Sequence, residues 1–244
     1  MMRALYLLYA AAAYAIFFAT FLYLIAFVGN LSLVPVTVDF ARVATPGKAV
    51  LIDTALIALF GIQHSVMARP GFKAGWTRIV PAPIERSTYV LFASAALIVL
   101  MAFWHQLPAP VWTVTHSAGA AMLWVLFASG WAIVLTSTFL INHFELFGLQ
   151  QAWFALRKRA AAPPMLRQPF FYKFVRHPLY SGFFIAFWAT PVMTTGHLLL
   201  AAGLSIYMLI AIRLEERDLV AIFGEAYVGY RTRVGMLIPR VRRS

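Results

Sequence analysis

The segment FVRHPLYSG, residues 174–182, sets Arg176 and His177 directly before Pro178 and a long apolar run. Proline suits the first turn of a helix, where its missing N–H costs nothing. The remaining first-turn amides, with the arginine and the histidine beside them, make that helix start a site for anions. A second charged segment, RLEERDL at 213–219, closes the next apolar run and carries Arg213, Glu215, Glu216 and Arg217. If the two runs fold back on each other near residues 195–196, antiparallel partners sum to roughly 391, and residue 177 lies level with about residue 214. Amides and cations on one helix end then meet carboxylates on the other. Such a constellation holds a zwitterionic ligand, its carboxylate on the first end and its ammonium or hydroxyls on the second. The same residues also suit a pair of ion-paired helix ends that lock the hairpin, since a buried carboxylate at a membrane boundary needs a partner or a function.

Proton transfer needs a different group, and His64 and His143 are the candidates. Gln63 and Ser65 flank the first, and Asn142 and Glu145 lie close to the second. A histidine at a helix end also serves as a hydrogen-bonded anchor. The spacing of His64, His143 and His177 contains no short ligand motif such as HxxxH, so no metal is expected. Ser65 lacks the aspartate and histidine arrangement of a hydrolase, and there is no glycine-rich phosphate loop. The absence of cysteine excludes disulfides, thiolate metal sites and cysteine nucleophiles.

The elements that must position these groups are membrane helices. Of 244 residues, 62% are apolar and only 11% charged, with a mean hydropathy of +0.80. These values lie outside the soluble range. Apolar runs over 4–29, 50–68, 87–104, 118–141, 179–194 and 197–213 predict six spans in an all-α polytopic bundle. The first run is too long for a signal peptide and reads as a retained span. The fifth and sixth, separated by Thr194, Thr195 and Gly196, read as a tight C-terminal hairpin. Alternate loops hold 18 of the 20 Lys and Arg, which places both termini in the cytoplasm, across an inner membrane if the source is bacterial. Half of the acidic residues, Glu215, Glu216, Asp218 and Glu225, sit in the cytoplasmic tail, so the chemistry is expected at that face. The net charge of +12 serves anionic headgroups rather than nucleic acid. The expected organisation is one integrated domain, with spans one to four in 1–142 and the lid loop, hairpin and tail in 143–244.

RHPLYSG, followed by EERDLVAIFGEAYVGYRTRV, resembles the isoprenylcysteine carboxyl methyltransferase superfamily of integral membrane methyltransferases over roughly the last 75 residues. The resemblance implies an S-adenosyl-L-methionine site at the cytoplasmic end of the membrane. Matched to this sequence, that site takes Tyr172, His177, Pro178, Leu179, Tyr180 and Glu215, with Arg176 and Glu216 beside them and a lid at Pro164, Met165, Leu166 and Arg167. Two positions depart from the family pattern. Phe170 stands where the family often has glycine, which is expected to reshape the adenine side. Gly235 gives RVG instead of RVP, which is expected to loosen the tail. IQHSVMARPGFK (62–73), PIERSTYVLFAS (83–94) and INHFELFGLQQAW (141–153) resemble the bacterial branch that methylates methanethiol to dimethyl sulfide.

A thiol reacts as its thiolate, and a free thiol pKa of roughly 8.5 leaves little of it ionised at neutral pH. His64 or His143 would supply a base under this reading, or Arg213 a cation. Tyr172, Tyr180, Phe183 and Tyr230 offer aromatic faces to a sulfonium. Other readings are open: a methyltransferase for isoprenylated cysteine or phospholipid, an NADPH-dependent sterol-type reductase drawing on the basic stretch 157–159, or a non-enzymatic membrane protein. The oligomeric state is not legible.

Overall fold

The computed structural model describes residues 1–160, 163 and 165–240. Pro164, one of the expected lid residues, lies outside them. The helices are α1 (Met2–Val28), α2 (Pro46–Met67), α3 (Pro70–Trp76), α4 (Ala82–Phe103), α5 (Ser117–Ile141), α6 (His143–Leu146), α7 (Leu149–Leu156), α8 (Pro178–Trp188), α9 (Thr195–Phe223) and α10 (Glu225–Arg233). A 3₁₀ turn covers Phe170–Lys173, and two short strands are β1 (Pro110–Thr113) and β2 (Val192–Thr194). Proline stands in the first turn of α2, α3, α4 and α8, where its fixed φ is already helical.

The protein is an all-α polytopic membrane protein. Helices α1, α2, α4, α5 and α9 are long and apolar enough to cross a bilayer. The last two expected spans need correction. The fifth was expected to reach residue 194, but α8 ends at Trp188 and has 11 residues. At about 1.5 Å per residue it covers roughly half of a ~30 Å hydrocarbon core. Pro191 explains the early stop: it lacks an N–H and drives Thr190 out of helical geometry. There is accordingly no tight hairpin at 194–196, because β2 occupies Val192–Thr194. The sixth helix runs past residue 213 to Phe223. Its charged segment, 213–219, is rich in the good helix formers Arg, Leu and Glu, so helix length there exceeds apolar length.

The chain forms two compact units. The first comprises 1–111, 143–162 and 194–200. In it α4 packs between α1 and α2, and α7 closes on α1 and α4. Its core gathers Met67, Tyr89 and Val90, with Phe17, Phe72, Trp76 and Phe147 packed on them. Asp53, fully buried within α2, is tolerated because its carboxylate accepts the His105 amide at 3.0 Å and faces His105 Nδ1 at 3.2 Å. Gly148, at φ +89°, starts α7 against Ser87, where a side chain would collide with the α4 backbone.

The second unit comprises 112–142, 163–193 and 201–244. Its main contact is α5 on α8, and glycine makes it possible. A Cβ on Gly130 would stand 2.7 Å from the backbone of Gly182 and Ala186, and one on Gly182 would stand 2.7 Å from the Gly130 carbonyl. Trp188 at the end of α8 donates to Ser205 Oγ of α9 at 3.0 Å.

Candidate active site

In the second unit Glu216 is the hub of an ion cluster. Its Oε1 accepts Arg176 Nε at 2.7 Å and lies 3.1 Å from His177 Nε2, and Oε2 faces Arg231 Nε at 3.3 Å. The Arg176 guanidinium also donates to the carbonyls of Arg231 and Val234. The expected register is close to the observed one, since residues 176 and 177 meet residue 216. The segment 235–237 then lies along the start of α8. The amides of Arg176 and His177 donate to the carbonyls of Gly235 and Met236 at 2.8 and 3.1 Å, and Ser181 Oγ donates to Leu237 O at 2.8 Å. Gly235 therefore does not loosen the tail. A side chain there would run into the Ile238 carbonyl, so glycine is what lets the tail seat.

Glu215 is differently placed. It is half-buried, and its Oε2 accepts the Tyr180 hydroxyl at 3.2 Å. Tyr180 in turn packs edge-on against His177, with ring centroids 5.7 Å apart. Tyr172 is buried beneath, its carbonyl accepting the Tyr230 hydroxyl at 2.6 Å. Burial, then the charge of Glu215, pushes the Tyr172 phenol above its ordinary range. Burial likewise raises Tyr230 to about 12, against the opposing pull of Arg176. These tyrosines are neutral, buried supports for the cluster. Pro178 is buried at the head of α8, with Leu179 and Tyr180 following. These residues make the first turn of α8, whose amides point out of the helix toward its start. A half-buried carboxylate beside aromatic rings and the first turn of a helix has the chemistry to bind a zwitterionic ligand that also carries hydroxyls and a sulfonium. Glu216 and His177 are engaged with each other.

The other expected residues lie as follows. Met165 and Arg167 are exposed and Leu166 half-buried; Arg167 donates to the Ile141 carbonyl at 3.3 Å. Phe170 has φ +38° and is 60% exposed, with its ring 4.7 Å from Phe171. The site that often carries glycine in the family thus has glycine-like backbone here, held by phenylalanine. Arg213 is exposed on α9.

His64 and His143 belong to the first unit, and each is held by a tyrosine. Tyr89 OH lies 2.8 Å from His64 Nε2, and Tyr14 OH lies 2.8 Å from His143 Nε2. Arg86 stacks over Tyr89 at 4.9 Å, and its Nε donates to Leu146 O at 2.8 Å. Burial lowers the pKa of His143, which favours the neutral ring. No group of three potential metal ligands occurs among the described residues. Sequence reading missed Tyr14, Tyr89, Arg86 and Arg231. Arg86 and Tyr89 lay in the quoted PIERSTYVLFAS and Arg231 in the quoted EERDLVAIFGEAYVGYRTRV, and nothing local tied Tyr89 to a histidine 25 residues away.

The long apolar helices make this an integral membrane protein of the all-α class; its chemistry is read from its relatives. The chain is 52% identical over 239 residues to methanethiol S-methyltransferase of Mycobacterium tuberculosis, covering 98% of each protein. It is 48% identical over 242 residues to methanethiol S-methyltransferase of Crocosphaera subtropica, covering 99% of this chain and 94% of that one. A more distant similarity, 30% over 176 residues, links it to nurim of Rattus norvegicus, covering 68% and 66% of the two chains. No family model and no solved structure matches. The chain belongs to the methanethiol S-methyltransferase family, and it is a methyltransferase.

Proposed function

We propose that this protein transfers the methyl group of S-adenosyl-L-methionine to methanethiol, releasing dimethyl sulfide, at the cytoplasmic face of a bacterial inner membrane. The observation that carries the proposal is 52% identity, over 98% of both chains, to a protein named for that substrate. The second unit supports the donor. S-adenosyl-L-methionine supplies a methyl carbon on a positively charged sulfur, which a thiolate displaces directly. Glu215, steadied by Tyr180, would take its ammonium or hydroxyls, and the start of α8 at Leu179 and Tyr180 would face its carboxylate. The ring faces of Tyr172 and Tyr180 suit the sulfonium. Met165, Leu166 and Arg167 would close over it, which would exclude water and align the reacting atoms. Arg176, His177, Pro178 and Glu216 hold the helix end that carries these groups.

His64 and His143 supply the thiol side. A thiol must lose a proton before it attacks, and a neutral imidazole takes it. The cationic Arg213 is a second way to favour the thiolate. The orientation rests on the distribution of Lys and Arg, which concentrates on the loops beside His64, His143 and Glu215.

The test is calorimetric binding of S-adenosyl-L-methionine and, separately, NADPH to detergent-purified protein, followed by headspace gas chromatography after adding methanethiol. The expected result is binding of the first cofactor alone, with dimethyl sulfide formed. Binding without product would move the substrate to larger thiols or lipids. Binding of NADPH alone would overturn the methyl-transfer reading.

A further inference from the structure

We infer that Ser137, on α5, is a cofactor-binding residue: its hydroxyl donates to the carboxylate of S-adenosyl-L-methionine at the start of α8. This rests on the reading of that helix start as the cofactor site, and it adds α5 to the elements that form it.

The contact between α5 and α8 sets the register. A Cβ on Gly130 would stand 2.7 Å from Gly182 O and from Ala186 N, and one on Gly182 would stand 2.7 Å from Gly130 O and 2.9 Å from Val134 N. Facing residues of this antiparallel pair therefore sum to about 314, and residue 137 is level with about residue 177, where α8 begins. Seven residues on from Gly130, Ser137 returns to within about 20° of the same helix face. It is buried there, as is Thr138. The last turn of α5 also reaches the segment proposed as the lid, since Arg167 donates to the Ile141 carbonyl at 3.3 Å. All of these residues belong to the second unit.

Ser137 differs from other helical hydroxyls. Thr20, Thr88, Ser94, Ser129 and Thr138 each donate to a carbonyl three or four residues back on their own helix. Ser137 has the same option, yet its Oγ is fully enclosed and has no hydrogen-bond partner among the described residues. An enclosed hydroxyl without a partner costs stability, and a ligand that accepts its proton offsets that cost. The first-turn amides of α8 point out toward the same level of the bundle, and a helix start favours an anion. Of the groups that S-adenosyl-L-methionine carries, only the carboxylate is anionic. Its ammonium and sulfonium offer no acceptor to an O–H, and its ribose hydroxyls gain little from the helix start. Serine turns about a single side-chain bond between staggered positions, so its hydroxyl can swing from the enclosed position onto a carboxylate held at the head of α8. An O–H bond to a carboxylate is one of the strong, charge-assisted kind.

The experiment is calorimetric binding of two ligands to the detergent-purified full chain: S-adenosyl-L-methionine and its decarboxylated analogue. The analogue keeps the sulfonium, the ammonium and the adenosine and lacks only the carboxylate. Unfolding midpoints without ligand are measured alongside. Ser137→Ala should raise the Kd for S-adenosyl-L-methionine about tenfold, the value of one hydrogen bond to a charged group, and leave the Kd of the analogue unchanged. It should also raise the unfolding midpoint slightly, because an unpartnered hydroxyl is removed and alanine favours the helix. Ser129→Ala removes a hydroxyl that already donates to Val125 O at 2.7 Å on an exposed face of α5, and should change neither Kd. Unchanged binding of S-adenosyl-L-methionine in Ser137→Ala, with binding weakened in Glu215→Gln, would overturn this inference alone. Equal weakening of both ligands in Ser137→Ala would also overturn it, because a packing defect does not tell the two apart. Binding of neither ligand by the unaltered protein would sink the reading of the α8 start as the cofactor site, and this inference with it.

Discussion

Adjacent glutamates on one helix do different work here. Glu216 is 7% exposed and is engaged by Arg176, His177 and Arg231, whereas Glu215 is half-buried and meets only a tyrosine hydroxyl among its described partners. Removing one member of a buried ion cluster leaves the others uncompensated. Glu216→Gln should therefore cost about 3 kcal/mol of stability, read as a fall in unfolding midpoint in detergent. Glu215→Gln should leave the midpoint nearly in place and weaken S-adenosyl-L-methionine binding at least tenfold by calorimetry, roughly the value of one charge-assisted hydrogen bond. Equal loss of stability in both would mean that the pair is a clasp and nothing more. Phe170 gives a prediction of opposite sign. Its φ of +38° strains any residue with a Cβ, and its exposed ring makes little packing to offset that. Phe170→Gly should raise stability by about 0.5–1 kcal/mol, measured by the same unfolding.

The helix is the scale at which the sequence was most legible, and its failures have physical causes. α1, α2, α4 and α5 fall close to the expected apolar runs, because length and hydropathy decide a spanning helix. The run at 179–194 misled because apolar character continues past the helix, through Pro191 and into β2. The proline was the local signal, and hydropathy outweighed it. The meeting of the RHP and EER segments was legible from their spacing, but the tail that seats along α8 was not, since backbone carbonyls carry no sequence signature. Two tests belong to this scale. Gly182→Val should cost at least about 3 kcal/mol, because backbone atoms of α5 cannot yield to the new side chain. Gly47→Ala, in open space on α2, should be neutral or slightly stabilising. At α10, Tyr230 keeps its proton to about pH 12 in the folded protein, whereas an unfolded tyrosine loses it near pH 10. The folded state binds more protons in that interval. Stability from this group is thus fully present below about pH 10 and falls as pH rises toward 12. Tyr230→Phe should flatten that part of an alkaline unfolding series.

For the whole molecule, the charge pattern carries a topology. Arg42 lies before α2 and Lys48 in its first turn, and the remaining 18 Lys and Arg fall in the other set of inter-span and terminal segments expected from the sequence. Asymmetry of that size sets the orientation of a polytopic chain, since the cost of translocating basic loops falls on one side only. The histidines proposed for the thiol side and the glutamate proposed for the cofactor lie beside the basic segments, so the positive-inside rule predicts that the chemistry faces the cytoplasm. The sequence contains no cysteine, which makes single-cysteine labelling clean without removing native groups. Lys48→Cys should react with a membrane-impermeant maleimide added to intact cells. Arg78→Cys, between α3 and α4, and Arg233→Cys, at the end of α10, should react only after permeabilisation. Both have their side chains exposed, so failure to label in intact cells reports sidedness and not burial. Labelling of Arg78→Cys in intact cells would reverse the orientation and put the methyl donor on the wrong side of the membrane. Labelling of Arg78→Cys and Arg233→Cys from opposite sides would show that α8 and α9 do not together return the chain to the side it left, and that the short α8 changes the number of crossings.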